Sequence, residues 1–140
     1  RHPLLRSSLW QTEPVNCPPG SPVFVNAVVA FVPRRGATPE SVLASLQEIE
    51  REFGRRARKV PNEPRRLDLD LITFGNETRA GKSLTLPHPR ARVRGFVLQP
   101  LSEIMPELIL PGQKQTVLEL LEKLPLGEAS GVRKLPVLFE

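Results

Sequence analysis

Leucines at 67, 69 and 71 alternate with Arg66, Asp68 and Asp70. A period of two predicts a strand over residues 66–72 with one face buried and one free. Residues 24–32 (Phe-Val-Asn-Ala-Val-Val-Ala-Phe-Val) are rich in β-branched and aromatic side chains and predict a largely buried strand, with Asn26 the polar misfit. Residues 6–11 predict a short strand, and residues 84–86 a short extended piece stopped by Pro87. Helical spacing takes over between Thr38 and Gly54. Thr38 caps, Pro39 opens, Glu40 suits the first turn, and Val42, Leu43, Leu46, Ile49 and Phe53 fall on one side. Residues 96–101 predict a helix begun or interrupted near Pro100, and residues 108–110 an extended piece. A last helix starts at Gln115 or Thr116 and carries a broad apolar face of Val117, Leu118, Leu120, Leu121 and Leu124. Residues 12–22 hold Pro14, Pro18, Pro19, Gly20 and Pro22 and predict a loop; residues from 125 onward read as a tail. The pattern is that of a single α+β domain over residues 1–140, a mixed or antiparallel sheet with helices covering a face.

Composition narrows this picture without changing it. The 140 residues suffice for one core, and 39% hydrophobic with 25% charged residues is ordinary for a globular domain. No apolar run reaches the length of a membrane span, so no membrane association is expected. One cysteine excludes an internal disulfide framework, and one cysteine with two histidines argues against a structural zinc site. A cytoplasmic location is the expectation. Cys17 has no histidine near it in sequence and reads as a bystander.

The net charge of +5 points to anionic partners, and arginines cluster between residues 51 and 66 and between 90 and 94. Clustered arginine suits phosphate oxygens, whether of a nucleotide or of a polymer. Part of the first cluster also has a simpler reason, since cations are favourable at a helix C-terminus. Asp68 and Asp70 project from one strand face, where like charges repel unless a cation lies between them; a solvated polar face is the bland alternative. A hard cation such as Mg²⁺ takes one or two carboxylates plus substrate phosphates. Asn26 either satisfies neighbouring backbone or reads a heterocycle, having both donor and acceptor. His88, held between Pro87 and Pro89, is a capping or packing residue or a phosphate donor.

Several segments together resemble one family. They are residues 62–72 (Asn-Glu-Pro-Arg-Arg-Leu-Asp-Leu-Asp-Leu-Ile), Phe74-Gly75-Asn76, residues 84–89 (Leu-Thr-Leu-Pro-His-Pro), Arg94-Gly95-Phe96-Val97-Leu98, Pro100-Leu101 and Glu103-Ile104-Met105-Pro106. Upstream, residues 7–12 (Ser-Ser-Leu-Trp-Gln-Thr) and 24–28 (Phe-Val-Asn-Ala-Val) agree as well. From about residue 6 to about 124 the chain is similar to 6-hydroxymethyl-7,8-dihydropterin pyrophosphokinases of folate biosynthesis. The resemblance implies a ferredoxin-like sandwich with a mostly antiparallel sheet. It also implies transfer of the two terminal phosphates of ATP, as one unit, to the pterin hydroxymethyl oxygen. It implies two Mg²⁺ ions on Asp68 and Asp70, with Arg55, Arg65, His88 and Arg94 bracing the triphosphate. Gln47, Glu50, Leu71 and Thr85 would line the nucleotide side. Phe24 and Phe96 would stack the pterin while Thr12, Asn26 and Val15 read its edge. Stacking contributes about 0.5–1.5 kcal/mol per aromatic pair beyond burial.

The resemblance has departures. The family's loop tryptophan falls at Asn62 and a loop arginine at Ala57. The family's usual first strand and helix, carrying Gly-Ser-Asn, has no counterpart here, so the sequence is expected to be incomplete at its N-terminus or completed by another piece. Fusion to, or association with, other folate enzymes fits the resemblance. Two rival readings carry different expectations. A degenerate relative would bind nucleotide without making AMP. A basic RNA-binding module would use the arginine clusters, but has no need of paired aspartates facing a phosphate backbone; no nucleic-acid partner is expected.

Overall fold

A computed structural model describes residues 4–12, 23–57, 67–129 and 131–136. Its first element is a long hairpin in two halves. Strand β1 (Leu4–Arg6) pairs antiparallel with β4 (Val29–Phe31), and β2 (Trp10–Thr12) with β3 (Phe24–Asn26). Between the halves, Ser7, Ser8 and Leu9 on one side stand opposite only Ala27 and Val28 on the other, from the Arg6–Val29 and Trp10–Asn26 pairings. One surplus residue is the count of a β-bulge. The single buried strand expected at residues 24–32 is therefore two short ones, and most of its side chains are exposed, Phe24 at 61%. The break has a local cause. Val28 gives its N–H to the Ser7 hydroxyl and takes the Ser7 N–H on its carbonyl, both at 2.9 Å, and it packs on the core.

Helix α2 (Gly95–Ile104) and helix α3 (Val117–Glu122) supply that core: Leu98, Leu101, Val117 and Leu120, joined by Val28, Met105, Leu108, Leu121 and Leu124. A 3-10 turn (Ala91–Val93) precedes α2. Pro100 sits inside α2, where it cannot donate to the Phe96 carbonyl, yet the helix continues to Ile104. Residues 108–110 form no strand; the Leu108 carbonyl accepts the Val117 N–H instead. Thr116 starts α3 with a full capping box, its Oγ1 accepting from the Glu119 N–H at 3.1 Å and its N–H donating to Glu119 at 2.9 Å. Beyond Pro125, in the stretch read as a tail, the chain forms α4 (Leu126–Ala129) and β7 (Val132–Lys134), and β7 pairs antiparallel with β2. A three-stranded sheet of order β3-β2-β7 results.

These elements make one unit, residues 1–32 with 89–140; residues 33–88 make a second. In the second, Thr38 and Ser41 cap α1 (Pro39–Ala57) reciprocally, the Ser41 N–H donating to Thr38 Oγ1 at 3.0 Å. The helix passes Gly54, where it was expected to stop, because Arg55, Arg56 and Ala57 are good helix formers. Val42 is buried, Leu43 and Leu46 are half-buried, and Ile49 and Phe53 are exposed. A small antiparallel pair, β5 (Arg79–Ala80) with β6 (Thr85–Leu86), follows. The strand expected at 66–72 is corrected: residues 67–74 form no ladder, although Leu67, Asp68, Leu69 and Asp70 still alternate half-buried and exposed. The Leu69 N–H goes to a side chain and the Ile72 carbonyl to His88, so their polar groups are satisfied outside a sheet. The fold is thus α+β with antiparallel sheets, consistent with the ferredoxin-like class.

Candidate active site

In the second unit, α1 and the Asp-x-Asp segment are joined through Glu50. Its Oε2 accepts the Leu69 N–H at 2.6 Å, so the bond falls between the two aspartates. Asp68 and Asp70, two residues apart, are both exposed. Two residues further on, the Ile72 carbonyl accepts the His88 N–H at 2.7 Å, which fixes the backbone of the Pro87–His88–Pro89 turn to the same segment. Five expected residues are therefore placed on one connected backbone frame: Glu50, Asp68, Asp70, Leu71 and His88.

Beside that frame, α1 and the β5–β6 hairpin bound an open cleft of about 320 Å³. Leu43, Ala44 and Gln47 line it from the helix, with Arg79, Ser83 and Leu84 opposite. Thr85, next to Leu84, donates its hydroxyl to the Gly81 carbonyl at 3.2 Å. At the rim, Arg79 bonds Glu40 at 2.6 Å and Glu77 at 2.9 Å. The Arg79 hydrogen bond lowers the pKa of the exposed Glu40 carboxyl below its ordinary value.

The first unit gathers the other set. In an antiparallel sheet, side chains directly opposite, and those two positions along, share a face. The register therefore puts Thr12, Phe24 and Asn26 on one face, with Trp10, Val132 and Lys134. The Asn26 amide donates to Thr12 Oγ1 at 3.4 Å. Helix α2 contacts both β2 and β3 and crosses this face, since Glu103 reaches Trp10 and Lys134 and a Cβ on Gly95 would stand 3.3 Å from Val132 Cγ2. Phe96 follows Gly95 and is half-buried; the Arg94 guanidinium lies 5.2 Å from its ring centroid, a cation–π contact. Val15 and Arg65 lie outside the described residues, as do Cys17 and Asn62, and of Arg55 only the helical backbone is described.

The donor set fits a hard cation bound together with substrate. Among the described residues no group of three or more His, Cys, Asp and Glu side chains is assembled to hold an ion. Two exposed carboxylates leave most of an octahedral Mg²⁺ shell to phosphate oxygens and water, which is how that ion is usually held beside nucleotides.

A family model for 7,8-dihydro-6-hydroxymethylpterin-pyrophosphokinase matches residues 2–106. The chain belongs to this family. All candidate residues named above, from Thr12 to Phe96, lie inside the part that matches the dihydropterin pyrophosphokinases. The enzyme named 2-amino-4-hydroxy-6-hydroxymethyldihydropteridine pyrophosphokinase from Synechocystis sp. is 38% identical over 118 residues, 84% of this chain and 58% of that protein. The protein of the same name from Pseudomonas aeruginosa is 37% identical over 130 residues, 93% of this chain and 75% of its own length. The folic acid synthesis protein fol1 of Pneumocystis carinii is 35% identical over 121 residues, 86% of this chain but 16% of fol1. The chain thus spans little more than half of the Synechocystis relative and a small part of the longer fungal one.

One cluster escaped the sequence. Glu103 accepts from the Ser8 N–H and the Ser8 hydroxyl, both at 2.6 Å, from Trp10 Nε1 at 3.3 Å, and pairs with Lys134 at 3.1 Å. Partial burial works against its ionisation, but the Ser8, Lys134 and Trp10 hydrogen bonds outweigh it and hold the carboxyl down at about 2. Ser8 and Glu103 stand 95 positions apart, and no local pattern links them.

Proposed function

We propose that this chain transfers pyrophosphate from ATP to 6-hydroxymethyl-7,8-dihydropterin. The observation that carries the reading is the pair of exposed aspartates set on either side of Leu69, whose N–H Glu50 holds at 2.6 Å. The pterin hydroxymethyl oxygen attacks the β-phosphorus, the bond from that phosphorus to the α–β bridging oxygen breaks, and the hydroxyl proton is lost. The products are AMP and the pterin diphosphate. Such transfer depends on positioning and on neutralising phosphate charge rather than on covalent chemistry by the protein.

Asp68 and Asp70 would hold Mg²⁺, two ions by family resemblance; bound there, Mg²⁺ supplies charge neutralisation at the phosphate oxygens. Glu50 keeps the two carboxylates at fixed spacing by anchoring the backbone between them. The cleft lined by Gln47 and Leu84 suits a nucleoside, being mostly apolar with a few polar groups. His88, Arg94, Arg55 and Arg65 would bind phosphate oxygens, Arg by bidentate geometry. In the first unit, Phe24 and Phe96 would stack the pterin while Asn26 and Thr12, already in contact with each other, read its edge. Location in the cytoplasm and the absence of nucleic-acid or membrane partners belong to this same reading. Among the described residues no helix is long and apolar enough to cross a membrane. The lengths of fol1 and its kin are compatible with fusion to other folate enzymes.

The test is AMP formation from MgATP with and without the pterin. Pterin-dependent AMP that Asp70→Ala abolishes supports the reading. Nucleotide binding with no AMP from a folded sample would instead identify a non-catalytic relative.

A further inference from the structure

A bulged strand leaves backbone groups that no neighbour in the ladder can satisfy. Here the surplus residue lies among Ser7, Ser8 and Leu9, and the Ser8 N–H and hydroxyl both turn to Glu103, near the end of α2. The same carboxylate receives the Trp10 indole N–H and the Lys134 ammonium. Trp10 is the strand partner of Asn26 on one side and of Lys134 on the other. One carboxylate therefore grips the bulge and two of the three members of the row Lys134–Trp10–Asn26. The third, Asn26, bonds Thr12. Helix α2 also carries Phe96 at its opposite end, so the helix and the strand row are fixed to each other by Glu103 at one end. At the other, Gly95 is in close contact with Glu128 and Val132.

We propose that Glu103 is a positioning residue for pterin recognition, setting the β2 bulge and thereby the placement of Asn26 and Thr12 relative to Phe96. The proposal rests on the assignment of that sheet face to the pterin. Its chemistry is specific to a carboxylate. Four donors converge on two oxygens, and a carboxamide of the same shape presents an NH₂ where at least one donor must be faced. Lys134, from the segment beyond α4, acts through the same group. The bonds of the cluster run to the strands and the helix that carry the pterin residues, so the effect is expected on that substrate first.

The test uses the intact chain and steady-state AMP formation, with Glu103→Gln, Lys134→Met and Ser8→Ala. The expected result for Glu103→Gln is a rise of about tenfold in KM for the pterin, the worth of one charge-assisted hydrogen bond, with KM for ATP changed by less than about twofold. The two other variants raise pterin KM by smaller factors. Trp10 is the chain's single tryptophan, so its emission reports the loss of the indole–carboxylate bond directly. Altered Trp10 emission with both KM values unchanged overturns the proposal, as does an equal rise in both. Should Glu103→Gln fail to fold, Lys134→Met and Ser8→Ala decide, and unchanged pterin KM in both overturns it. Calorimetric titration of the wild-type chain with the pterin and a non-hydrolysable ATP analogue separates the two levels. No pterin binding by the wild type defeats the proposed function and this inference with it. Wild-type binding matched by an equally tight Glu103→Gln variant defeats this inference alone.

Discussion

At Leu69 a backbone N–H is given to the Glu50 carboxylate rather than to a neighbouring strand, and the consequence is local rigidity between two charged side chains. Replacing Asp70 by alanine removes a cation ligand while leaving that bond in place. The expected outcome is a fall in kcat of about a thousandfold, from the several kcal/mol that bound metal contributes to phosphoryl-type transfer, with the unfolding midpoint unchanged. Quenched-flow or coupled AMP assays together with thermal melts check both halves. Thr116 sits at the other extreme, far in sequence from the candidate residues and purely structural. Thr116→Ala removes the hydroxyl that accepts the Glu119 N–H and should cost about 1 kcal/mol of stability, read by urea unfolding, with kcat intact. Both residues were legible in the sequence, the aspartates by their spacing and Thr116 by its place before an apolar helix face. Glu103 was legible only as part of the Glu103–Pro106 segment, not in its role: its four donors belong to Ser8, Trp10 and Lys134, in two distant segments, and nothing in the residues flanking Glu103 shows that they meet.

Elements were read well where a cap or a helical period marked them and less well where only extended character did. The Thr38 and Thr116 caps start α1 and α3 as expected. The apolar run at residues 24–32 becomes two short strands, and the alternation at 66–72 none over its described residues 67–72, because an apolar or alternating run becomes strand only when a neighbour supplies the ladder. At 67–74 side-chain and turn contacts take the backbone groups, and at Val28 the Ser7 hydroxyl does. Strand β7 was missed for the converse reason: Val132–Lys134 is too short to show a period, and only pairing with β2 makes it a strand. Its docking has a testable contact. A Cβ on Gly95 would collide with the Glu128 carbonyl oxygen, a backbone atom with little room to retreat. Gly95→Ala should displace α4 and β7 and lower stability by about 1–3 kcal/mol, the usual cost of overpacking. Amide hydrogen exchange should show the Gln11 and Arg133 ladder losing protection before α1 does.

On the scale of the whole molecule, charge and pH give two further expectations. The net charge of +5 favours polyanionic substrates over long range, and salt screens that attraction. KM for ATP should rise several-fold between roughly 50 and 500 mM salt, while KM for the uncharged pterin moves little. The second expectation concerns acid. The Glu103 carboxyl is held at about 2 in the folded chain, against an ordinary value of 4.5. A depressed carboxyl stabilises the fold fully above its unfolded value, and that contribution is lost as pH falls through the folded value. The stability gap between wild type and Glu103→Gln should therefore be widest above about pH 4.5 and close as pH drops toward 2. Unfolding curves at a series of pH values check this. The charge balance was plain in the composition, but the division into two units, with residues 33–88 interrupting the other unit along the sequence, was not. Composition carries no record of which distant segments meet.

The bulge at Ser7–Leu9 makes chain length in this hairpin a matter of matching. Three residues there face two on the partner strand, so one deletion between Arg6 and Trp10 would leave two facing two and keep both the Arg6–Val29 and the Trp10–Asn26 pairings, with the faces their side chains share. It would sacrifice the Ser8 donors that Glu103 accepts. A deletion from Ala27–Val28 would instead set three residues against one. A designer shortening this stretch should therefore take a single residue, and take it from the Ser7–Leu9 side.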